Sequence, residues 1–359
     1  MSSPRTPFLL THMLRVLCVA LWLLAFSAAH AHDGKHYPAG KLLDHKVSIT
    51  IDGNERVIKS NGLPDHVPGV FPNRGNPGTI SAQDWNFRMP LKPQISERLR
   101  PSQHASFGVA INGVPFEPGT AEFWNGDPQW KYEAMSGAID LGLDQSHAHV
   151  QPGGLYHYHG LPTGIVERLG GDGKKMLLVG YAADGFPIYT SFGHADPMNA
   201  KSALRKMKPS WQLKKGERPS PPDGPGRKYD GTYTQDYEYV KGSGDLDECN
   251  GRIGVTPEYP DGIYHYYITD TFPVLGRYWR GTPDHSFFKK GPPGGGPGGR
   301  RGPPPGERDG PPPPFDHERR PREGGGERAR PEGPPNGERR GRPRPPGGEG
   351  EERRPPPRN

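Results

Sequence analysis

The sequence predicts a mainly β protein, in which two related β units pack into one globular body with few short helices and a disordered C-terminal tail. Short alternating runs that end at turn dipeptides predict strands rather than helices. Three blocks recur in the same order in two stretches of the chain, which predicts the pair of units. Residues 291–359 hold 20 Pro and 18 Gly, a composition that buries too little apolar surface to offset the entropy of ordering.

The chain divides into four predicted segments. An uncharged apolar run, Val16–Phe26, follows Arg15 and precedes Ala29-His30-Ala31, which is the pattern of an export signal. The run is shorter than the ~20 residues that span a membrane, so we expect a periplasmic or secreted protein with no transmembrane segment in the mature chain. The predicted segments are a signal peptide at 1–31, an N-terminal β segment at 32–99, a main domain at 100–290 with halves of about 100–175 and 176–290, and the tail at 291–359.

The charge distribution argues against a nucleic-acid partner. The net charge of +6 comes from the two ends of the chain, because residues 32–290 carry 29 basic and 29 acidic groups. A balanced body lacks the basic face that phosphate backbones require. The tail mixes Arg with Glu and reads as an extended spacer. The oligomeric state is not predicted.

Turn dipeptides predict the local elements. Residues 46–60 alternate around Asp52-Gly53, which predicts a hairpin. Two further strand-like runs, Phe107–Phe116 and Met176–Tyr189, are broken by the turn dipeptides Asn112-Gly113 and Asp184-Gly185. The best helix candidate is Asp196–Met207, which Pro209 would end.

The internal repeat joins three pairs of blocks. GVAINGVPFE at 108–117 resembles GYAADGFPIY at 180–189, Leu143–Ser146 resembles Leu246–Cys249, and GGLYHYHGLP at 153–162 resembles DGIYHYYITD at 261–270. Each β unit has an apolar face to bury, so we expect the two halves to pack against each other.

Four histidines on two neighbouring strands predict a metal site. His147 and His149 are two residues apart, as are His157 and His159, and Pro152-Gly153-Gly154 between the pairs favours a hairpin. Residues i and i+2 of a strand share a face. If residue 147 pairs with 159, four imidazoles share one face; a shift of one residue separates the pairs. Copper and zinc both accept imidazole nitrogens.

The alternative is a buried network of Tyr and His side chains without a metal. The second half keeps His265 but has Tyr267 in the position of His159, which argues partly against a second metal site. Both halves share a Leu-Asp pair and a Tyr-His pair. Asp144 and Asp247 are therefore candidates to hold His157 and His265 by carboxylate–imidazole hydrogen bonds, although an Asp turn is equally consistent. The predicted outer partners of the ligands are Asp144, Tyr156 and Tyr158, and the second-half counterparts are His265, Asp247 and Tyr264.

At these residues the chain resembles the bacterial YHYH-domain proteins, whose motif stands here as Tyr156-His157-Tyr158-His159. The resemblance covers roughly residues 85–285 and includes Gly180–Tyr189 and GDLDECNGR at 244–252. Members of the family often have Cys-Gly-Gly-His before the motif, and the matching residues here end in His149. The resemblance implies an exported protein whose activity is not established.

Two classes of function follow. The first is an exported protein that binds copper or zinc through the YHYH strand. The second is a non-catalytic module of the cell envelope that holds a glycan or protein partner, with the tail as a tether. Aromatic residues in TAEFWNGDPQWKY at 120–132 would serve such a partner if exposed, and form core if buried. Cys249 is the only cysteine outside the predicted signal peptide; we expect a buried structural thiol rather than a nucleophile acting with His265.

Overall fold

The computed structural model describes residues 40–103, 105–172 and 174–289. The predicted signal peptide and the predicted tail lie outside these ranges. The described chain is mainly β, as predicted. No helix in these ranges is both long enough and apolar enough to cross a membrane.

The strands are short, and most of them pair in hairpins. In chain order they are β1 Val47–Asp52, β2 Glu55–Ser60, β3 Trp85–Pro90, β4 Arg100–Pro101, β5 Gly108–Ala110, β6 Pro115–Phe116, β7 Ala148–Gln151, β8 Leu155–Tyr158, β9 Leu178–Ala182, β10 Pro187–Tyr189, β11 Phe192–His194, β12 Leu204–Lys206, β13 Trp211–Leu213, β14 Tyr237–Tyr239, β15 Gly251–Gly254, β16 Ile263–Tyr267 and β17 Tyr278–Trp279. One α-helix, α1 Thr163–Arg168, and 3-10 turns at Trp124–Gly126, Thr234–Asp236 and His285–Phe287 complete the described elements.

The predicted hairpin over residues 46–60 is confirmed, and the two strand-like runs also pair across their turn dipeptides. β1 and β2 pair with Asp52 opposite Glu55, so Gly53 lies in the two-residue turn with φ 59°. Only a residue without a Cβ adopts that region at no steric cost. The pairs β5–β6 and β9–β10 flank the predicted Asx-Gly turns.

The predicted helix over Asp196–Met207 is wrong. Residues 196–203 form turns after β11, and the rest of the stretch contains β12; the two strands pair as a hairpin with His194 opposite Leu204. The side chain of Ser202 donates to the backbone carbonyls of Asp196 and Asn199. Such local side-chain bonds offer the backbone an alternative to the helical ladder.

One eight-stranded sheet forms the centre of the protein, in the order β15-β16-β10-β9-β5-β6-β8-β7. β5 and β9 meet antiparallel at the middle, with Val109 opposite Tyr181. On each side the next pairings are an antiparallel hairpin, a parallel pair and an antiparallel edge pair. The edge pairs are β7–β8 on one side and β15–β16 on the other. The internal duplication itself stays a prediction from the sequence.

The predicted N-terminal β segment contributes a separate three-stranded sheet, β1-β2-β3. Its buried residues Ile58, Phe87 and Met89 belong to the same apolar core as Phe107 and Phe116 of the main sheet. Phe87 also stacks on Phe287 at 4.7 Å between ring centroids. The burial of aromatic rings is the largest apolar contribution per residue, so this core fixes the sheet on which the histidines lie.

Candidate metal centre

The β7–β8 hairpin sets the positions of the predicted histidines. Gly153 and Gly154 in its turn have φ of 92° and 77°, and a Cβ on Gly154 would lie 2.0 Å from the hydroxyl oxygen of Ser81. The register places His149 directly opposite His157. The pairing extends past the strand, since the amide of His159 donates to the carbonyl of His147 at 2.8 Å. This is the register that the sequence analysis required for a shared face.

Three imidazoles meet at one point. The Nε2 atoms of His157 and His159 are 3.0 Å apart, and those of His159 and His149 are 3.1 Å apart. One nitrogen from each ring lies within 4.8 Å of the other two. His157 and His159 are buried and His149 is half-buried. We call these three residues the histidine cluster.

His147 does not belong to the histidine cluster, although the sequence analysis included it. Its backbone has φ 55°, a left-handed conformation that breaks the strand alternation. Its Nδ1 instead donates to the carbonyl of Leu161 at 2.8 Å. The structure therefore brings together three of the four predicted imidazoles.

Asp144 makes the contacts of an Asp turn, the predicted alternative to a hydrogen bond with His157. One carboxylate oxygen accepts from the amides of Ser146 and Ala148, and the other accepts from the amide of Gly69 and the hydroxyl of Tyr156, the latter at 2.6 Å. Its hydrogen bonds therefore build the turn before β7 and fix Tyr156, whereas the Nδ1 of His157 faces the carbonyl of Leu155.

The tyrosines of the motif lie away from the cluster. Strand alternation places Tyr156 and Tyr158 on the opposite face of β8 from His157 and His159. The hydroxyl of Tyr158 accepts from the side-chain amide of Asn112 at 2.9 Å. They hold the hairpin in place rather than contacting the three imidazoles directly.

Burial keeps the cluster uncharged at neutral pH. Desolvation lowers the pKa of His149, lowers that of His157 to about 4 and lowers that of His159 well below its usual range. The neighbouring rings add to the effect for His159, because each would repel a second positive charge. A neutral imidazole has one N–H and one lone pair, so each ring is able to offer a nitrogen to a metal ion.

The three rings of the cluster have too few N–H hydrogens to make a hydrogen bond at every nitrogen–nitrogen contact. The Nδ1 atoms of His149 and His157 face backbone carbonyls of Leu141 and Leu155 at 2.7 and 3.2 Å. The side-chain nitrogen of Asn76 lies farther from the Nδ1 of His149, at 3.3 Å, and donates to the carbonyl of Val150 at 2.7 Å. A carbonyl only accepts, so both Nδ1 atoms carry the hydrogen and both Nε2 atoms expose lone pairs. His159 has one hydrogen for two such neighbours, and its buried Nδ1 has no partner. With that hydrogen on Nε2, His159 donates to one neighbour and the other Nε2 lone pair has no donor. With it on Nδ1, all three Nε2 lone pairs face one another.

A metal ion fits this arrangement. Zinc–imidazole bonds are about 2.0–2.1 Å long, so two nitrogens bound at the tetrahedral angle lie about 3.3–3.4 Å apart. The separations of 3.0 and 3.1 Å are a few tenths of an ångström shorter, so the rings need move only slightly to hold an ion. One cation at the shared point would accept all three lone pairs.

A buried carboxylate that the sequence analysis did not single out lies beside the cluster. Glu117 follows β6, whose Phe116 pairs with Tyr158, and its carboxylate accepts from Gln151 at 3.0 Å and from Lys289 at 2.8 Å. Burial alone would raise its pKa, but the ammonium of Lys289 and the hydrogen bonds from Lys289 and Gln151 lower it overall. Glu117 therefore carries a negative charge beside the cluster, paired with Lys289. Its contact with Lys289 joins residues far apart in the chain, which no local pattern reveals.

The second-half residues form a different set of contacts. Nδ1 of His265 donates to the carbonyl of Ile263 at 2.9 Å, and its Nε2 accepts from the hydroxyl of Tyr267 at 2.7 Å. Asp247 accepts from Tyr264 at 2.9 and 3.0 Å and does not contact His265 directly. Within the described residues the histidine cluster is the one group with the geometry of a metal site.

The other candidates from the sequence are Cys249 and the aromatic residues at 120–132. Cys249 is buried and free, and burial raises the pKa of its thiol, which argues against a nucleophile. Trp130 is buried against Tyr233, whereas Phe123 and Tyr132 remain half-buried. These half-buried rings keep part of their surface exposed, so the glycan alternative stays a prediction.

Comparison with known proteins identifies one family. The family model described as YHYH protein matches residues 86–281, which is more than half of the chain and contains both edge pairs of the main sheet. The same comparisons find no match among curated proteins or solved structures. The chain belongs to the YHYH protein family.

Proposed function

We propose that this protein binds one transition-metal ion, copper or zinc, through the Nε2 atoms of His149, His157 and His159. The observation that carries the proposal is the count of hydrogens in the cluster: three neutral nitrogens converge, and the available protons cannot satisfy them. A buried lone pair without a hydrogen-bond donor costs free energy. A cation removes that cost and gains three ligand bonds.

The proposed site keeps a position open. Three protein ligands leave room for water or a small ligand, as in zinc sites that act on substrates. His149 is half-buried and marks the side on which solvent reaches the cluster. The carbonyls of Leu141 and Leu155 hold the rings of His149 and His157 from behind, so both rings are oriented before a metal arrives.

Export belongs to the same proposal. The apolar run Val16–Phe26 and the small residues Ala29 and Ala31 support cleavage of a signal peptide. The mature chain would begin at His30 or His32. Mass spectrometry of protein from the periplasm and the medium tests this, and an intact chain that remains in the cytoplasm would contradict it.

The experiment on the metal uses protein purified without an affinity tag. Elemental analysis is expected to find close to one equivalent of copper or zinc, or to find it after incubation with either ion and gel filtration. His157→Ala and His159→Ala should each lose it.

The matched control is His147→Asn, which removes a neighbouring imidazole outside the cluster and suits a positive φ. It should keep the metal. Wild-type protein that holds neither ion would overturn the proposal, and the module of the cell envelope would then be the better hypothesis.

A further inference from the structure

We propose that the second half of the main sheet contains a closed counterpart of the histidine cluster, in which the guanidinium of Arg252 supplies the positive charge. The counterpart consists of Arg252, His265 and Tyr267, and we call it the second-half cage. It would accept a divalent transition metal only after Arg252 and Tyr267 are replaced by imidazoles. The inference rests on the proposed function in one respect, namely that three imidazoles in this arrangement bind a transition metal.

The turns before the two edge pairs have the same hydrogen bonds. The amide of Asp144 donates to the carbonyl of Ala148 at 2.8 Å, and the amide of Asp247 donates to that of Gly251 at 2.8 Å. The carboxylate of Asp247 accepts from the amides of Cys249 and Gly251 at 3.0 and 3.1 Å, as that of Asp144 does in its own turn. Both turns therefore deliver the next strand in the same conformation.

The backbone then departs from the strand at the same position in each half. His147 has φ 55° and Asn250 has φ 64°. The amide of His159 donates to the carbonyl of His147 at 2.8 Å, and the amide of Tyr267 donates to that of Asn250 at 3.0 Å. Left-handed residues other than glycine are uncommon, so the coincidence marks equivalent positions.

The register matches side chain for side chain. His149 lies opposite His157, and Arg252 lies opposite His265. In each half the tyrosine before the central histidine donates its hydroxyl to the Asp of the turn. The positions of His149 and His159 are thus those of Arg252 and Tyr267.

Two replacements close the second-half cage without a metal. The hydroxyl of Tyr267 supplies the proton that Nε2 of His265 accepts at 2.7 Å, so no lone pairs face each other there. The guanidinium carbon of Arg252 lies 5.6 Å from the centre of the Tyr267 ring, and its Nη2 donates to the carbonyl of His194 at 2.5 Å. An arginine is always protonated, so the second-half cage has a permanent cation of its own.

The test installs the missing imidazoles. Arg252→His combined with Tyr267→His is made in the full chain, once with the histidine cluster intact and once with His157→Ala and His159→Ala. Cobalt(II) is the probe, read by its visible absorption and by elemental analysis after gel filtration.

The expected result is a gain of one equivalent of cobalt in both backgrounds relative to the matching parent. A folded variant that gains none would overturn the proposal. The metal content of the His157→Ala, His159→Ala parent tests the proposed function alone. The gain of cobalt over that parent tests the second-half cage, so either claim can fail without the other.

A reciprocal exchange decides the matter if the first variant does not fold. His149→Arg combined with His159→Tyr transfers the closed contacts to the first half. We expect a folded protein with no bound cobalt and a melting temperature at least equal to that of His159→Ala. A chain that retains cobalt, or that melts below His159→Ala, would contradict the equivalence.

Discussion

The hydrogen bond between Tyr156 and Asp144 allows a prediction of stability. Tyr156→Phe removes only the hydroxyl, which donates to the carboxylate of Asp144 at 2.6 Å. Tyr156 is 1% exposed and Asp144 is 5% exposed, so water does not replace the lost donor. Burial and the charge of Asp144 raise the pKa of Tyr156 well above its usual range, which keeps the hydroxyl protonated.

The magnitude follows from the charge on the acceptor. A hydrogen bond to a charged group contributes about 1.5–3 kcal/mol, and about 1 kcal/mol shifts the melting temperature of a body of this size by about 2–4 °C. We therefore expect Tyr156→Phe to melt about 3–12 °C below wild type. Differential scanning calorimetry of both proteins with the metal removed measures the difference.

Tyr264→Phe is the matched comparison. Its hydroxyl shares two longer bonds with Asp247, of 2.9 and 3.0 Å, and the side chain of Asp247 is 35% exposed. The loss of stability should be smaller than for Tyr156→Phe. An unchanged melting temperature for Tyr156→Phe would refute the role assigned to this bond.

Further predictions concern pH and metal. Burial raises the pKa of Asp184 to about 6. The folded state therefore holds a proton that the unfolded state releases near pH 4. The stabilisation from this proton is complete below pH 4 and is lost as pH rises through about 6. Urea unfolding should therefore show wild type losing about 2–3 kcal/mol relative to Asp184→Asn between pH 4 and 7, and a difference that is constant with pH would contradict this. Zinc at about 100 times its dissociation constant should raise the free energy of unfolding by about 2.7 kcal/mol, and His159→Ala should show no such rise; an equal rise in both would place the metal elsewhere. In isothermal titration calorimetry His147→Asn should bind zinc within about threefold of wild type, and a hundredfold loss would restore His147 to the site.

Alternation and turn chemistry predicted the hairpins and the two possible registers of the histidine strands. They did not predict that His147 leaves the shared face, because the spacing of His147 and His149 is the same whether or not the backbone turns left-handed between them. The second half of the sequence indicates this conformation. Asn250-Gly251 aligns with His147-Ala148, and Asn-Gly is typical of positive φ.

The partners of the site were less predictable than its ligands. The role of Asp144 depends on Gly69, which is distant in the chain and approaches only in the folded protein. Glu117 and Lys289 meet for the same reason. The helix predicted over Asp196–Met207 failed because side-chain bonds from Ser202 competed with helical ones.

The most direct measurement is anomalous diffraction at the zinc absorption edge from crystals of the full chain soaked in zinc. We expect one strong peak at about 2.0–2.1 Å from the Nε2 atoms of His149, His157 and His159, and none beside His265. A peak that misses the cluster, or zinc-soaked crystals with no peak at all, would contradict it.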